Sequence, residues 1–497
     1  MRESWSPFGR EGNFSPSDIT ATLEQQKGKI VEIQAAGPLR GTVRGIGGGK
    51  NMTSPILLAA CSLNPFDRPS VLRNVPRISE LAFARYLTDV ANIAEINFQQ
   101  DGSVSIKPSS SKKSFVPSEI GPPSHIAIVA AGFFVGNLGV ADIPVPGGDK
   151  LGGRTVDTHV QALQDLGVTV NKYTDNKGFE RLRFSAPENG LQGGDVWLRY
   201  PRITATGMTI LAAAKAKGMT IIHNAALDPE VDALISFYKE AGLTIKRGKG
   251  RLGEPIVEIT PEIAKELHRV EYTIPIDRTA VVTYAVAAIA TKSEKGIFVE
   301  GAQEDELSTF LSLLAEMNRD NEEPGYRIEK NGIQFFYKGL LKAPERTVIS
   351  MNKPYVESED AIGIYTDWQP FVSILLSQAE GRSILYETAH PDRLEHLRVM
   401  QNAGARDSIT FSNHPAMNSA PLLFDPGKSE AFHCAHINGG FSLNPIDITG
   451  SDIRFAAWGV IQSLVSGGKI RGVDQIYRGY DGLIDKLIEL GADIAVR

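Results

Sequence analysis

Residues 206–242, TGMTILAAAKAKGMTIIHNAALDPEVDALISFYKEAG, decide the fold. The stretch TILAAAKAKG at 209–218 is small and apolar nearly all round, as a buried helix requires. TIIHNAA at 220–226 is short and rich in β-branched residues, which marks a strand. VDALISFYKEAG at 231–242 keeps one apolar stripe and one charged face, so its helix faces solvent. Gly242 falls where a left-handed cap ends such a helix, as do Gly167, Gly404 and Gly491. The same order recurs six times. Inner helices are expected at 51–63, 125–139, 206–218, 278–296, 368–381 and 453–468. Outer helices are expected at 78–90, 155–167, 228–242, 304–317, 391–404 and 480–491. A repeated unit fixes architecture before any motif is read. Six units divide three and three, near Pro275.

Composition agrees with a soluble globular protein of more than one domain. A chain of 497 residues is too long for a single core. The net charge of −6 gives no electrostatic reason to expect nucleic acid or an anionic membrane as partner. Cys61 and Cys434 make no disulfide framework and suit a reducing cytoplasm. The opening MRESWSPFGREGNFSPSD has no apolar core of a signal peptide, and residues 1–27 read as a loose polar extension. The inner helices are too short to span a membrane. Residues 406–450, with HPAMNSAP and HCAHINGGF, read as a long irregular insertion.

Several helix starts carry a lone charge beside an apolar run: Lys50, Asp277, Asp367 and Arg454. GIGGGKN at 45–51 departs from a phosphate loop, having Arg44 and Asn51 where Gly and Ser or Thr belong. Glycines before a Lys at a helix start still describe an anion site, and equally a flexible turn with a solvated Lys. VPGGDKLGGRTVDTH at 145–159 is a Gly-rich loop that can close over a ligand and present Asp149 and Arg154 to it. Its plainer reading is a surface turn. SDIRFAAW and IYRGYD place Arg454 and Arg478 at or near helix starts, where most arginines are solvated or pair with carboxylates. TDWQPF puts Asp367 where an N-cap is the ordinary explanation. HCAH at 433–436 lacks a partner pair at zinc spacing, so no metal is expected there.

Together these pieces resemble the enolpyruvyl transferases, on the side of the UDP-N-acetylglucosamine 1-carboxyvinyltransferases. The resemblance runs from about residue 28 onward and rests on GPLRGTVRGIGGGKN, PGGDKLGGRTVDTH, IIHNAALDPEVDALISFYKEAG, TDWQPF, DIR and RGYDGLIDKLIELGADI in that order. It implies an inside-out α/β barrel of two domains built from six repeated α/β units. One domain would comprise 28–49 plus 276–497, the other 50–275, with the chain crossing twice. It implies that Lys50 contacts phosphoenolpyruvate and Asn51 the acceptor sugar. Arg154 would grip the phosphate, and Arg454 and Arg478 the carboxylate and phosphate. Asp367 would lie near the attacking hydroxyl. Arg393 matches the Arg of a Glu-Asn-Arg segment, and Asp157 closes the loop's substrate-binding set. No metal or organic cofactor is implied.

The departures from the family pattern bear on the acceptor. Asp149 stands where most members have a reactive Cys, which implies insensitivity to the epoxide fosfomycin. His125 replaces an Arg, Pro391 replaces the Glu of Glu-Asn-Arg, and three residues are missing before Arg478. The Pro-Ser-Val-Gly segment that holds uridine diphosphate reads Pro201-Arg202-Ile203-Thr204. The implied reaction moves the enolpyruvyl group of phosphoenolpyruvate to a hydroxyl of UDP-N-acetylglucosamine with loss of phosphate. Asp149 would be the acid and Asp367 the base or hydroxyl orienter. The alternatives are another nucleotide or specialised acceptor, or a non-catalytic binding relative.

Overall fold

The inner helices form where the apolar runs predict them, because a helix without a polar face is stable only when surrounded. They are α1 (Lys50–Cys61), α2 (Ile126–Leu138), α3 (Ile203–Ala213), α4 (Arg278–Ala290), α5 (Gln369–Gln378) and α6 (Ile453–Ser466). Every residue of α4 is buried. The computed structural model describes residues 28–64, 68–78, 91–99, 102–109, 112–116, 118, 125–146, 156–261, 267–351, 357–390, 392–413 and 432–497. Residues 79–90 of the outer helix expected at 78–90, and the extension at 1–27, lie outside them. α3 starts three residues before the expected 206, since the Thr206 hydroxyl donates to the Arg202 carbonyl (2.9 Å) and ties the preceding turn into the helix. α2 and α3 touch through glycine: a Cβ on Gly132 would lie 2.1 Å from the Met208 carbonyl oxygen.

Outer helices follow at Asp157–Asp165, Pro229–Glu240 and Glu304–Met317. The last two units depart from expectation. The helix expected at 391–404 is Glu395–Met400 followed by a wide turn at Gln401–Ala405, broken at Gly404 (φ 127°). The helix expected at 480–491 is shorter, Leu483–Glu489, begun by Gly482 in the left-handed region, and a separate short helix, Asp474–Gly479, precedes it.

Each unit carries its own sheet. In chain order of the inner helices, the sheets centre on Ser70–Arg73, Glu180–Ser185, Thr220–His223, Ile297–Glu300, Thr347–Met351 and Gly468–Arg471. The strand orders are open rows, and no sheet among the described residues closes on itself. Val31–Ile33 joins the last sheet, with Val31 opposite Ile470, and Gly41–Val43 runs parallel to Ile297–Glu300. The first strands of the chain therefore belong with its C-terminal units. The region 406–450 is less irregular than expected: Ile409–Ser412 and Cys434–Asn438 extend the fifth sheet to six strands. The alternation that marks a strand was masked by the histidines of HCAHIN, of which His436 faces Arg382 (2.9 Å).

Buried apolar side chains gather into two large clusters. One draws on residues from Met52 to Ile274, the other on Val31 to Ile46 and Ala280 to Ala492. The chain passes between them at 47–50 and 274–278, and the two passages lie side by side. Gly48 bridges Ile276, and the Asp277 amide donates to the Gly47 carbonyl (2.9 Å). A Cβ on Gly48 would sit 2.4 Å from Ile274 Cγ2, and one on Gly47 would sit 2.7 Å from Pro76 Cα. These two glycines of GIGGGKN are thus required by close packing of the crossing. No helix among the described residues is long and apolar enough to cross a membrane.

Candidate active site

All six inner helices point their N-terminal ends at one cleft. It is lined by Lys50 and Asn51 of α1, His125 and Ile126 at α2, Arg202 to Thr204 at α3, Arg278 and Thr279 of α4, Asp367 just before α5, and Ile453 and Arg454 of α6. Each helix end carries roughly half a positive charge from its unpaired amides. α1, α2 and α3 have no side-chain cap and no acidic residue in the first turn, so that charge is not cancelled locally. α4 and α6 are capped by Asp277, which accepts from the Thr279 amide, and Asp452, which accepts from the amides of Arg454 and Phe455. The capping leaves the next side chains, Arg278 and Arg454, directed into the cleft. Arg393 and Arg478 complete the cationic wall, and His390 lines the cleft with them.

Asp367 is the hub of this wall. Its Oδ1 lies 2.9 Å from Arg393 Nη1 and its Oδ2 lies 2.9 Å from Arg454 Nη2. Burial alone would raise the carboxyl's pKa, but Arg454, Arg393 and Lys50 override it and hold the group well below the usual carboxylate range. Asp367 is therefore firmly ionised. Arg393 and Arg454 are 6% and 5% exposed, and each keeps a donor to spare. Arg393 Nε and Arg454 Nη1 are buried and make no hydrogen bond among the described residues. Arg478 is steadied by Gln475, which accepts from Nη1 at 2.7 Å.

Behind Asp367 stands a carboxylate that sequence reading missed. Glu387 is fully buried and accepts from Ser350 Oγ (2.6 Å), Thr366 Oγ1 (3.0 Å) and the amides of Ala389 and His390 (2.7 and 3.0 Å). Thr366 in turn accepts from Arg393 Nη1 (2.7 Å). One buried group thus joins the turn before α5 to the segment that carries Arg393. Burial pushes the Glu387 carboxyl up, against the pull of Arg393 and its hydrogen bonds. Its only signal in the sequence is a Glu ending an apolar strand, RSILYE.

The structure brings Lys50, Asn51, Asp367, Arg393, Arg454 and Arg478 to this cleft. Asp149, Arg154 and Pro391 lie outside the described residues. Asp157 is exposed at the start of its helix and is not among the cleft-lining residues. His159 lines the cleft instead, because two positions along a helix turn the side chain by about 200°. His159 Nε2 meets Thr204 Oγ1 at 2.9 Å. On the other side Arg278 forms a bidentate pair with Glu230 (3.1 and 2.9 Å) and lies 3.4 Å above the Tyr365 ring. Among the described residues no group of three or more His, Cys, Asp or Glu side chains is arranged to hold a metal.

Two sets of α/β units with a cation-lined cleft where their helix ends meet define an enzyme class that handles small anions. The family model described as EPSP synthase (3-phosphoshikimate 1-carboxyvinyltransferase) matches residues 33–413. The chain belongs to this family, the enolpyruvyl transferases, and is a transferase. It is 31% identical over 475 residues to a UDP-N-acetylglucosamine 1-carboxyvinyltransferase of Protochlamydia amoebophila, covering 94% of each chain. It is 28% identical to UDP-N-acetylglucosamine 1-carboxyvinyltransferase 1 of Staphylococcus aureus, covering 94% of this chain and 98% of that one. Among solved structures, the enolpyruvyl transferase NikO from Streptomyces tendae superposes with a TM-score of 0.73 at 21% identity, covering 94% of this chain and 99% of that one. EPSP synthase from Acinetobacter baumannii gives 0.62 at 15% identity, covering 94% and 99%. The architecture is EPSP synthase-like.

Proposed function

We propose that the chain transfers the enolpyruvyl group of phosphoenolpyruvate to a hydroxyl of UDP-N-acetylglucosamine, releasing phosphate, in the cytoplasm. The observation that carries this reading is the pair of buried, half-satisfied guanidinium groups, Arg393 and Arg454, beside Lys50 and Arg478. Phosphoenolpyruvate carries a phosphate and a carboxylate on three carbons, and such a wall suits both. The two domains, 28–49 plus 276–497 and 50–275, would close over it as two inside-out barrels. Two separate buried clusters and paired chain crossings support that division.

In this reading an acid, Asp149, protonates C3 of phosphoenolpyruvate and C2 gains oxocarbenium character. The acceptor hydroxyl attacks C2. Loss of a C3 proton and of phosphate restores the double bond, and Lys50 and the arginines stabilise the departing phosphate. Asp367, ionised between two arginines, is a weak base on its own. An anionic substrate that takes up Arg454 and Arg393 offsets their pull, so Asp367 gains basicity when the donor is bound. Asn51 sits beside Lys50 to meet the acceptor.

A second reading keeps the chemistry and changes the acceptor. It is favoured by Arg202, His125 and Thr204, which line the cleft at positions where this chain departs from the family pattern. A phosphate-release assay with phosphoenolpyruvate and a panel of nucleotide sugars tests both. Release with UDP-N-acetylglucosamine at an ordinary rate, on the order of 1–10³ per second, supports the first. Release only with another acceptor supports the second, and release with none refutes both.

A further inference from the structure

Asp228 occupies the N-cap of helix Pro229–Glu240, where an Asp ordinarily accepts from the first amides, yet its side chain caps nothing. It is 1% exposed and lines the cleft. Neither carboxyl oxygen has a hydrogen-bond partner among the described residues, and Arg278 Nη2 stands off at 3.8 Å. Arg278, 4% exposed and also lining the cleft, commits Nε and Nη2 to Glu230 and leaves Nη1 unpartnered. Two adjacent buried residues, one from each side of the cleft, thus keep polar atoms unsatisfied where a folded protein rarely tolerates them.

We propose that Asp228 and Arg278 form a second polar subsite of the cleft, which takes a neutral hydrogen-bonding group of the acceptor, a hydroxyl or an amide, and not a phosphate. The inference rests on the transferase reading and adds to it where the uncharged part of the acceptor lies. The charges around the two regions differ. Lys50, Arg393, Arg454 and Arg478 line the cleft around one lining carboxylate, Asp367, and leave a surplus of cations for an anion. Arg278 is already balanced by Glu230, whose carboxylate would repel a phosphate brought alongside. Burial first, and Glu230 second, push the Asp228 carboxyl well above the ordinary carboxylate range despite Arg278, which favours its protonated form. A neutral carboxyl offers one O–H donor and one carbonyl acceptor, and Arg278 Nη1 adds a donor. That set matches a hydroxyl or an acetamido group. The polar atoms are shielded from solvent, while both residues line the cleft.

The test compares wild type, Asp228→Ala and Asp228→Asn for binding of UDP-N-acetylglucosamine, UDP and phosphoenolpyruvate by calorimetry, with melting curves to establish folding. Wild type should bind UDP-N-acetylglucosamine at least tenfold tighter than UDP. Asp228→Ala should erase most of that difference and leave UDP and phosphoenolpyruvate affinities within twofold. Asp228→Asn, neutral and similarly shaped, should restore the difference to within threefold. The subsite is overturned if wild type binds the two nucleotides equally, or if Asp228→Ala keeps the preference. It is also overturned if Asp228→Asn is as defective as Asp228→Ala, which would mean the charged form is needed. Should Asp228→Ala not fold, the isosteric Asp228→Asn and Asp228→Leu decide in the same way, with Leu expected to lose the preference. Phosphate release by wild type is read separately, so a failed transferase reading is distinguishable from a failed subsite.

Discussion

Replacing Asp367 by Asn should move substrate affinity and turnover in opposite directions. Asn keeps one oxygen for one arginine and turns an NH2 towards the other, so one of the two 2.9 Å contacts is lost outright. A hydrogen bond to a charged group contributes about 1.5–3 kcal/mol, which is the expected loss of stability. The same change removes a negative charge next to the anion site. At a separation of about 8 Å and an effective dielectric constant near 20, that charge opposes a bound anion by about 2 kcal/mol. Phosphoenolpyruvate should therefore bind roughly tenfold tighter or more, while turnover falls by about 10²–10⁴ through loss of the base or orienter. Calorimetry with phosphoenolpyruvate and a steady-state phosphate assay read the two effects. The pH dependence has a fixed sign. The depressed folded pKa makes the Asp367 contribution fully present above the unfolded value near 3.9, and it is lost as pH falls through the lower folded value. Wild type and variant should thus differ in urea midpoint at pH 7 and converge in strong acid. Weaker or unchanged phosphoenolpyruvate binding in Asp367→Asn would show that Asp367 does not compete with the substrate for Arg393 and Arg454.

Other outcomes follow from single side chains. Asp149→Asn should lose most turnover and keep phosphoenolpyruvate binding, whereas Asp149→Cys should gain time-dependent inactivation by fosfomycin, because a thiolate opens an epoxide far better than a carboxylate. A fosfomycin adduct on the unmodified protein would contradict this. Burial pushes Glu306 up to about 7, with Asp305, Glu230 and Asp277 adding to it and Arg278 opposing. An acid with a raised folded pKa loses stability as pH climbs from its unfolded value near 4.3, so Glu306→Gln should gain about 1–3 kcal/mol at pH 8 and little at pH 4 in urea unfolding. Thr366→Val removes the hydroxyl that links Glu387 to Arg393 and should cost about 1–3 kcal/mol and weaken phosphoenolpyruvate binding, with Thr366→Ser largely restoring both.

The inner helices were legible because an apolar surface all round leaves burial as the only stable outcome, as in α4. Their N-terminal charges could be read as candidates one at a time. Their convergence was expected only through the family resemblance, since it depends on how six separate units pack. Lys50 reads from the sequence equally as an anion-site cation or as a solvated residue beside a flexible turn, and the structure sets it at the cleft with Asp367, Arg393 and Arg454. The glycines before it read as an anion cradle, while Gly47 and Gly48 prove necessary for the crossing strands. Asp157 was drawn into the site by its proximity to the Gly-rich loop, but helix periodicity turns it outward and His159 inward. Glu387, Asp228 and Glu230 were missed for a common reason. A carboxylate on a strand end or in a helix's first turn looks like ordinary capping or solvation until burial removes the water.

The central claim is that this cleft joins phosphoenolpyruvate to a hydroxyl through C2. Incubation of the protein with phosphoenolpyruvate and UDP-N-acetylglucosamine, followed by mass analysis of the nucleotide fraction and assay of phosphate, tests it most directly. The account predicts a nucleotide sugar carrying an enolpyruvyl ether, formed in equal amount with phosphate and suppressed in Arg454→Ala. Phosphate and pyruvate without an enolpyruvyl ether, or no phosphate with any nucleotide sugar, would contradict it.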